Sequence, residues 1–373
     1  MRLYVVLTLL FFYSCSESVK DKKIEPVVVA VPGETDVKSL EIEKIAPLET
    51  RDESVFGQYY KVDFIDSDIY ILDNIFTNNL YHFNGRGQFI KKLQIGKGPG
   101  EVMETYSVYI DREANEVYVY DGINDRIQVF DQLLNYLQTI PVNNEIAYHH
   151  FNKMSDNKWL VQATYQNYPR NDTTALYVLL DKEFKRIEEK YIPFNLSFGG
   201  VGTVDPISTN AHNQVLFAGI FDNNLYTIDD QDKLQVKYQV DFGDFNLTEK
   251  ELQSDDNRSI TKLWQEGQRK TYLDNVHETI LYVGFSYLFE DKVEFCIYSK
   301  KSGEILSSEN IRGDFIPGTL AGLTDDYFIL AAEPSSVIDY INRSEVEDDR
   351  FKDLNIKEGD NPVLVYYRLK EML

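Results

Sequence analysis

Apolar and polar residues alternate in short runs along most of the chain, and the runs end in clusters of Asp, Asn, Gly and Ser. A period of two places every second side chain on one face, so these runs predict β-strands joined by tight turns. The runs also repeat. The stretch "IYILDNIFTNNLYHFNGRGQFIKKL" from Ile69 aligns almost position for position with "VYVYDGINDRIQVFDQLLNYLQTI" from Val117. Each has an alternating strand closed by an aspartate (Asp73, Asp121), a polar turn, a second strand ending in Phe (Phe83, Phe130), another polar turn and a third strand. The aspartates are 48 residues apart, close to the length of one four-stranded propeller blade.

Looser copies follow. "KWLVQATYQN" with "ALYVLLDKEFKRIEEKYIPF" is a third unit, "QVLFAGIFDNNLYTIDDQDKLQVKYQV" a fourth and "TILYVGFSYLFEDKVEFCIYSKKSGEIL" a fifth. "YFILAAEPSSVIDYIN" and "NPVLVYYRLK" form a sixth, interrupted by the charged "RSEVEDDRFKDLNIKEGD". Units that cannot bury both faces alone become stable when stacked in a closed ring. The predicted fold is therefore all-β: a six-bladed β-propeller of four-stranded antiparallel blades over residues 37–373. The lone strand in "VKSLEIEKIAPLE" (37–49) is expected as the outer strand of the last blade, fastening the ring and hiding an edge. Residues 247–275 are expected as a helical insertion between the fourth and fifth blades, because Thr248 and Glu251 have the spacing of a capping box and no Gly or Pro follows until Gly267.

The first residues do not fit the blade pattern. Arg2 precedes eleven uncharged, mostly apolar residues (3–13) and then Ser14-Cys15. The run is too short for a permanent span and has the proportions of a secretory signal peptide, assigned to 1–14. "FYSC" resembles a lipobox with Phe12 in place of the usual Leu, which makes Cys15 the expected lipidation site and 15–36 a lipid-tethered linker. An exported protein on a membrane anchor is the expected location, with the outer membrane as the expected leaflet. Cys296, in "VEFCIYS", is expected as a buried inert thiol.

"IGKGPGEV" (95–102) needs a separate reading. A phosphate-binding loop places Lys after its last glycine and leads into a helix. Here Lys97 precedes Gly98, Pro99 removes an amide, and "ETYSVYID" continues as a strand. Gly96, Gly98, Pro99 and Gly100 are instead expected to turn the chain from the first blade into the second, with Glu101 pointing toward the axis.

With 26 Tyr and 22 Phe the chain suits half-buried pleated surfaces, where rings pack and phenols reach an edge. The formal charge of −23 argues against nucleic acid as a partner, since phosphate binding gains affinity from Lys and Arg.

"GKGPGE" after a blade, the opening strand ending "IAPLET" and the lipoprotein-like start together resemble the six-bladed, TolB/NHL-like propeller lipoproteins of Bacteroidota envelopes. The resemblance implies a ring on a lipid tether, in a family largely without assigned activity.

Neither His-Glu-x-x-His nor Gly-x-Ser-x-Gly occurs. His82, between Tyr81 and Phe83, is expected on the outer surface. His149, His150, His212 and His277 fall in or just before expected innermost strands and, with Glu101 and Asp205, are the candidate channel or ligand-binding residues. Three converging imidazoles or carboxylates would hold a divalent ion, although no cofactor is expected. The acidic turns lack the spacing of a calcium loop. "NDTT" (171–174) resembles an O-glycosylation acceptor at Thr173. The leading expectation is a non-catalytic binding propeller for an unknown protein, glycan or small-molecule ligand. The alternatives are a hydrolase or lyase with a channel metal, and a structural partner of an outer-membrane complex.

Overall fold

In the computed structural model the alternating runs form strands. It describes residues 25–31, 40–57, 60–142, 148–155, 157–163, 175–193, 204–210, 214–219, 222–252, 262–311, 315–343, 349–352 and 354–369. Cys15, Thr173 and His212 lie outside the described residues, as does the expected signal peptide 1–14.

Two strands precede the repeats, β1 (Val27–Ala30) and β2 (Ile42–Pro47). The first blade is β3 (Lys61–Ile65), β4 (Asp68–Asp73), β5 (Asn79–Phe83) and β6 (Phe89–Lys92). A two-residue parallel bridge, β7 (Gln94–Ile95) to β8 (Glu101–Val102), leads into the second. That blade is β9 (Thr105–Asp111), β10 (Glu116–Asp121), β11 (Arg126–Asp131) and β12 (Tyr136–Pro141). The third is β13 (Tyr148–Lys153), β14 (Trp159–Ala163), β15 (Ala175–Leu180) and β16 (Ile187–Pro193). The fourth is β17 (Ile207–Thr209), β18 (Val215–Ala218), β19 (Asn224–Ile228) and β20 (Leu234–Asp241). The fifth is β21 (Thr271–Glu278), β22 (Tyr282–Phe289), β23 (Lys292–Ser299) and β24 (Ile305–Ser307). The sixth comprises β25 (Thr319–Leu323), β26 (Tyr327–Ala332), β27 (Val363–Arg368) and, as its outer strand, β2.

The inner strands β3, β9, β13, β17, β21 and β25 each lie beside the next, and β25 returns to β3. That order closes a six-membered ring in which the first blade stands opposite the fourth. β2 runs antiparallel to β27, with Ile45 opposite Val365, so a strand from ahead of the first blade locks onto the last strand of the chain. Six buried apolar clusters fill the six gaps between neighbouring blades. One joins Tyr70 and Leu80 of the first blade to Val108 and Val117 of the second.

Asp73 and Asp121, the repeated aspartates, are fully buried and play matching parts. Asp73 accepts the Gly57 amide at 2.8 Å and the Phe76 amide at 2.9 Å. Asp121 accepts the Met103 and Glu104 amides at 3.3 Å and the Asn124 side chain at 2.7 Å. Each carboxylate ties the turn after its strand to the segment entering the inner strand of its own blade, satisfying amides that a turn would otherwise bury unpaired.

Three expectations are corrected. Within 15–36, Val27–Ala30 is not tether but a fifth strand on the fourth blade, paired in parallel with β20 and burying Val29 completely. The insertion is narrower than 247–275, because Thr271–Glu278 is already the inner strand of the fifth blade. The capping box is present at its start, the Thr248 amide donating to Glu251 at 2.8 Å. His82 is not on the surface. It is 1% exposed, stacked on Tyr70 at 4.8 Å and bonded through Nε2 to Asp68 at 2.9 Å. Cys296 is buried and unbridged, and burial pushes its thiol well above the usual range.

Candidate functional site: the axial cavity

The inner strands surround a cavity of about 1100 Å³ to which all six blades contribute. Its lining is drawn from the later parts of the inner strands and the turns after them: Asp66 and Ser67, Arg112 and Glu113, Thr209 and Asn210, Thr279 and Ile280, Thr324 and Asp325. The mouth is therefore on the face where the inner strands end. Apolar side chains from the strands, among them Val62, Ile110, Ile207 and Val276, alternate with these polar groups.

At the other end, where the inner strands begin, Lys61 Nζ lies 3.0 Å from Asp205 Oδ1. Lys61 opens β3 of the first blade and Asp205 immediately precedes β17 of the fourth, so this ion pair crosses the axis between opposite blades. Both residues are nearly buried, at 9% and 7% exposure. Among the described residues the cavity is thus a cup, open where the inner strands end and crossed at its floor by a charge pair.

Asp205 is anchored from behind. Its amide and that of Val204 donate to the Asp274 carboxylate at 3.0 and 2.7 Å, and its carbonyl accepts the Val276 amide at 2.9 Å. The fifth blade thereby fixes the carboxylate that the fourth presents. Lys61 also lies 3.7 Å from Asp63, which pairs in turn with Arg112, and Arg112 Nε donates to the Phe64 carbonyl at 3.0 Å. Charges alternate along Asp205, Lys61, Asp63 and Arg112 from the fourth blade through the first to the second.

Burial governs the floor's protonation. It pushes Asp205 up to about 7 even though Lys61 opposes the shift, with Asp63 and Asp274 adding repulsion. The ammonium of Lys61 is itself penalised by burial, but Asp205 and Asp63 hold it above the usual lysine value. The two partners respond unequally because the carboxylate has like charges beside it and the ammonium faces opposite ones. His277, also lining the cavity, is pushed down to about 4 by burial, with Asp63 opposing, and stands neutral at pH 7. Its Nε2 is 3.2 Å from Asn275 Oδ1. Higher in the wall, Glu278 is held below its usual range: burial opposes its charge, and Lys237 and Lys300 outweigh that penalty.

Of the candidates read from the sequence, Asp205 and His277 line the cavity. Glu101, His149 and His150 do not. Glu101 folds back on its own loop and accepts the Gly98 amide at 2.9 Å, while Arg126 and Gln128 hold its carbonyl. Its carboxylate explains the glycine at 96, where an added Cβ would meet Oε2 at 2.1 Å. Gly100 alone of the three loop glycines has a positive φ, of 79°. His149 packs edge-on against Tyr106 and His150 at 5.6 and 4.7 Å between ring centres, and burial lowers its pKa. On β13 it is Asn152 that reaches the cavity. Among the described residues no group of three His, Cys, Asp or Glu side chains is arranged to hold a metal ion. Sequence reasoning missed Lys61, Asp63 and Arg112. The signal for Lys61 was a lysine inside an otherwise strand-like run, "YYKVDFI", where a charge needs a buried partner.

A family model described as a domain of unknown function, DUF4934, matches residues 41–368. The chain belongs to this family. The matched span runs from the strand that closes the ring to the end of the last blade, so it takes in all six four-stranded blades. Among solved structures, a protein of Bacteroides fragilis provisionally named as exported is similar at a TM-score of 0.73 and 19% identity, covering 92% of this chain and all of its own. A member of the DUF4221 family from Bacteroides vulgatus is similar at a TM-score of 0.50 and 10% identity, covering 88% of this chain and 97% of its own. No curated protein matches the sequence. No helix among the described residues is long and apolar enough to cross a membrane.

Proposed function

We propose that this DUF4934 propeller is an exported binding protein that receives a small ligand in its axial cup without transforming it. The observation that carries the reading is the cup itself, a concavity of about 1100 Å³ built from all six blades and barred at its floor by Lys61 and Asp205. Binding sites are concave, largely preformed, and combine apolar walls with a few placed polar groups. The likeness to a Bacteroides protein provisionally named as exported and the leader-like first residues support export. Acylation of Cys15 would tether the ring to the envelope, with membrane association lost in Cys15→Ala.

The test is to soak crystals of the ring with a mixed set of small polar, charged and aromatic fragments. Density in the cup for one or more of them is the expected result. Fragments confined to the outer surfaces, with the cup empty at millimolar concentrations, would overturn the reading.

A further inference from the structure

Resting on the reading of the cup as a ligand site, we infer that its ligand is an uncharged, hydroxyl-rich molecule with the chemistry of a neutral sugar. The charges in the depth of the cup are already answered by the protein. Asp205 is paired with Lys61 at 3.0 Å, Asp63 with Arg112, and Asp111 with Lys153 at 3.0 Å. Glu278 is held by Lys237 and Lys300, each at 2.8 Å. A charged ligand would lose its hydration there and find no spare counter-charge to offset the loss. Lining charges that no ion pair answers among the described residues stand at the mouth and are of both signs. Asp66 and Asp325 lie on turns there, and Lys44 donates to the Gly85 carbonyl, in the turn between β5 and β6, at 2.5 Å.

What the wall leaves open is neutral. Tyr109 and Asn152 line the cup at 6% and 7% exposure. The Tyr109 ring packs against Phe151 and Trp159, but its hydroxyl has no hydrogen-bond partner among the described residues. Asn152 donates its side-chain amide to Thr209 at 3.0 Å and keeps its side-chain carbonyl without a donor. Tyr366, 5% exposed, repeats the unpartnered phenol where the sixth blade meets the first. Burial holds both phenols well above the usual tyrosine range, so each is a donor at pH 7. Ser208 accepts the Glu278 amide at 3.2 Å and retains its own proton, and His277 is neutral. These uncharged groups come from five successive blades, the second to the sixth, with the apolar Val62, Ile110, Ile207 and Val276 beside them. A ligand hydroxyl accepts from a phenol and donates to an amide carbonyl, so a molecule that carries hydroxyls around a carbon ring meets both demands.

The experiment titrates the protein calorimetrically at pH 6.5 with glucose, glucosamine and glucuronate, which share one ring and differ in charge, and with the matching galactose series. In at least one series the neutral sugar is expected to bind about ten-fold more tightly than its charged relatives. Its affinity should hold from about 0.01 M to about 1 M salt, although the Debye length falls from about 30 Å to about 3 Å. Tyr109→Phe and Tyr366→Phe each delete a hydroxyl that no described residue uses. Each should keep the urea midpoint of the parent and weaken the neutral sugar about three-fold to ten-fold, the equivalent of one hydrogen bond. A charged sugar binding as tightly as the neutral one, or neutral binding that salt weakens, would overturn the assignment and leave the cup as a ligand site. Affinity unchanged in both phenylalanine variants would place the sugar outside the cup and overturn the assignment. Silence from both series would overturn it too, and only an empty cup in the soaked crystals as well would overturn the binding reading.

Discussion

The floor and the rim of the cup carry the same kinds of residue in opposite circumstances. At the floor, Lys61 and Asp205 are almost completely buried and joined across the axis. At the rim, Asp66 is exposed on a turn. A buried charge must be answered by the protein itself, so its neighbours are fixed by stability, whereas an exposed one is answered by water and is available to a ligand. The floor therefore reads as architecture that also shapes the cup, and the rim as the part that can change without loss of the fold.

The sharpest way to break this contrast is to remove one floor charge. Lys61→Met leaves Asp205 uncompensated, and loss of one member of a buried pair typically costs about 3–5 kcal/mol. Urea denaturation at pH 8 should show a loss of that order. Because Asp205 already titrates near 7, it can escape by taking a proton, and the deficit should shrink markedly at pH 5. Lys61→Met combined with Asp205→Leu, which removes both charges, should recover most of the stability. A Lys61→Met protein as stable as the parent at pH 8 would mean that the axial pair is incidental to the fold.

The next effect is the dependence of stability on pH. Asp205 has a folded value near 7 against an ordinary 3.8, so the folded state takes up its proton first. Its contribution is fully present below about 4 and is lost as pH rises through about 7. His277, held near 4 against an ordinary 6.5, behaves oppositely, its contribution being present above 6.5 and lost as pH falls toward 4. Between those limits the two slopes oppose each other, and the parent should show a shallow profile. Asp205→Asn should expose the histidine, giving a protein that weakens steeply in acid. His277→Gln should expose the aspartate, giving one that gains stability from pH 7 down to about 4. Urea midpoints at half-unit intervals between pH 4 and 8 would show whether the slopes separate in this way.

The same contrast explains what was legible in the sequence. Alternation identified the blades, and the isolated strand before the first repeat was correctly expected to close the last, because an unpaired strand at one end of a ring must meet an unpaired edge at the other. Alternation could not tell inside from outside within a blade. The middle strands are covered on both faces by neighbouring blades, and all five residues of β5 are buried. His82, read as outward from its apolar neighbours, is buried for that reason. β1 escaped because Val27–Ala30 sits in a charged stretch and pairs in parallel with a strand far along the chain. Lys61 and Asp205 escaped as a pair for the same reason, since a contact across the axis leaves no local period in either segment. The inner-strand histidines were weighed as a convergent set, yet a residue on an inner strand reaches the axis only if its register points it there, and on β13 that residue is Asn152.

The smallest effect expected is at the rim, and it separates the two regions most cleanly. Asp66 is exposed and has a positive φ of 52°, a backbone state that Asn adopts as readily as Asp. Asp66→Asn therefore removes one charge with no strain, and Glu113→Gln does the same on an exposed turn of the second blade. Each should alter stability by no more than about 0.5 kcal/mol in urea denaturation, as surface changes away from caps and cores usually do. A rim variant that destabilised the ring as much as Lys61→Met would show that the rim is structural after all, and the division of the cup into a fixed floor and a variable mouth would fail.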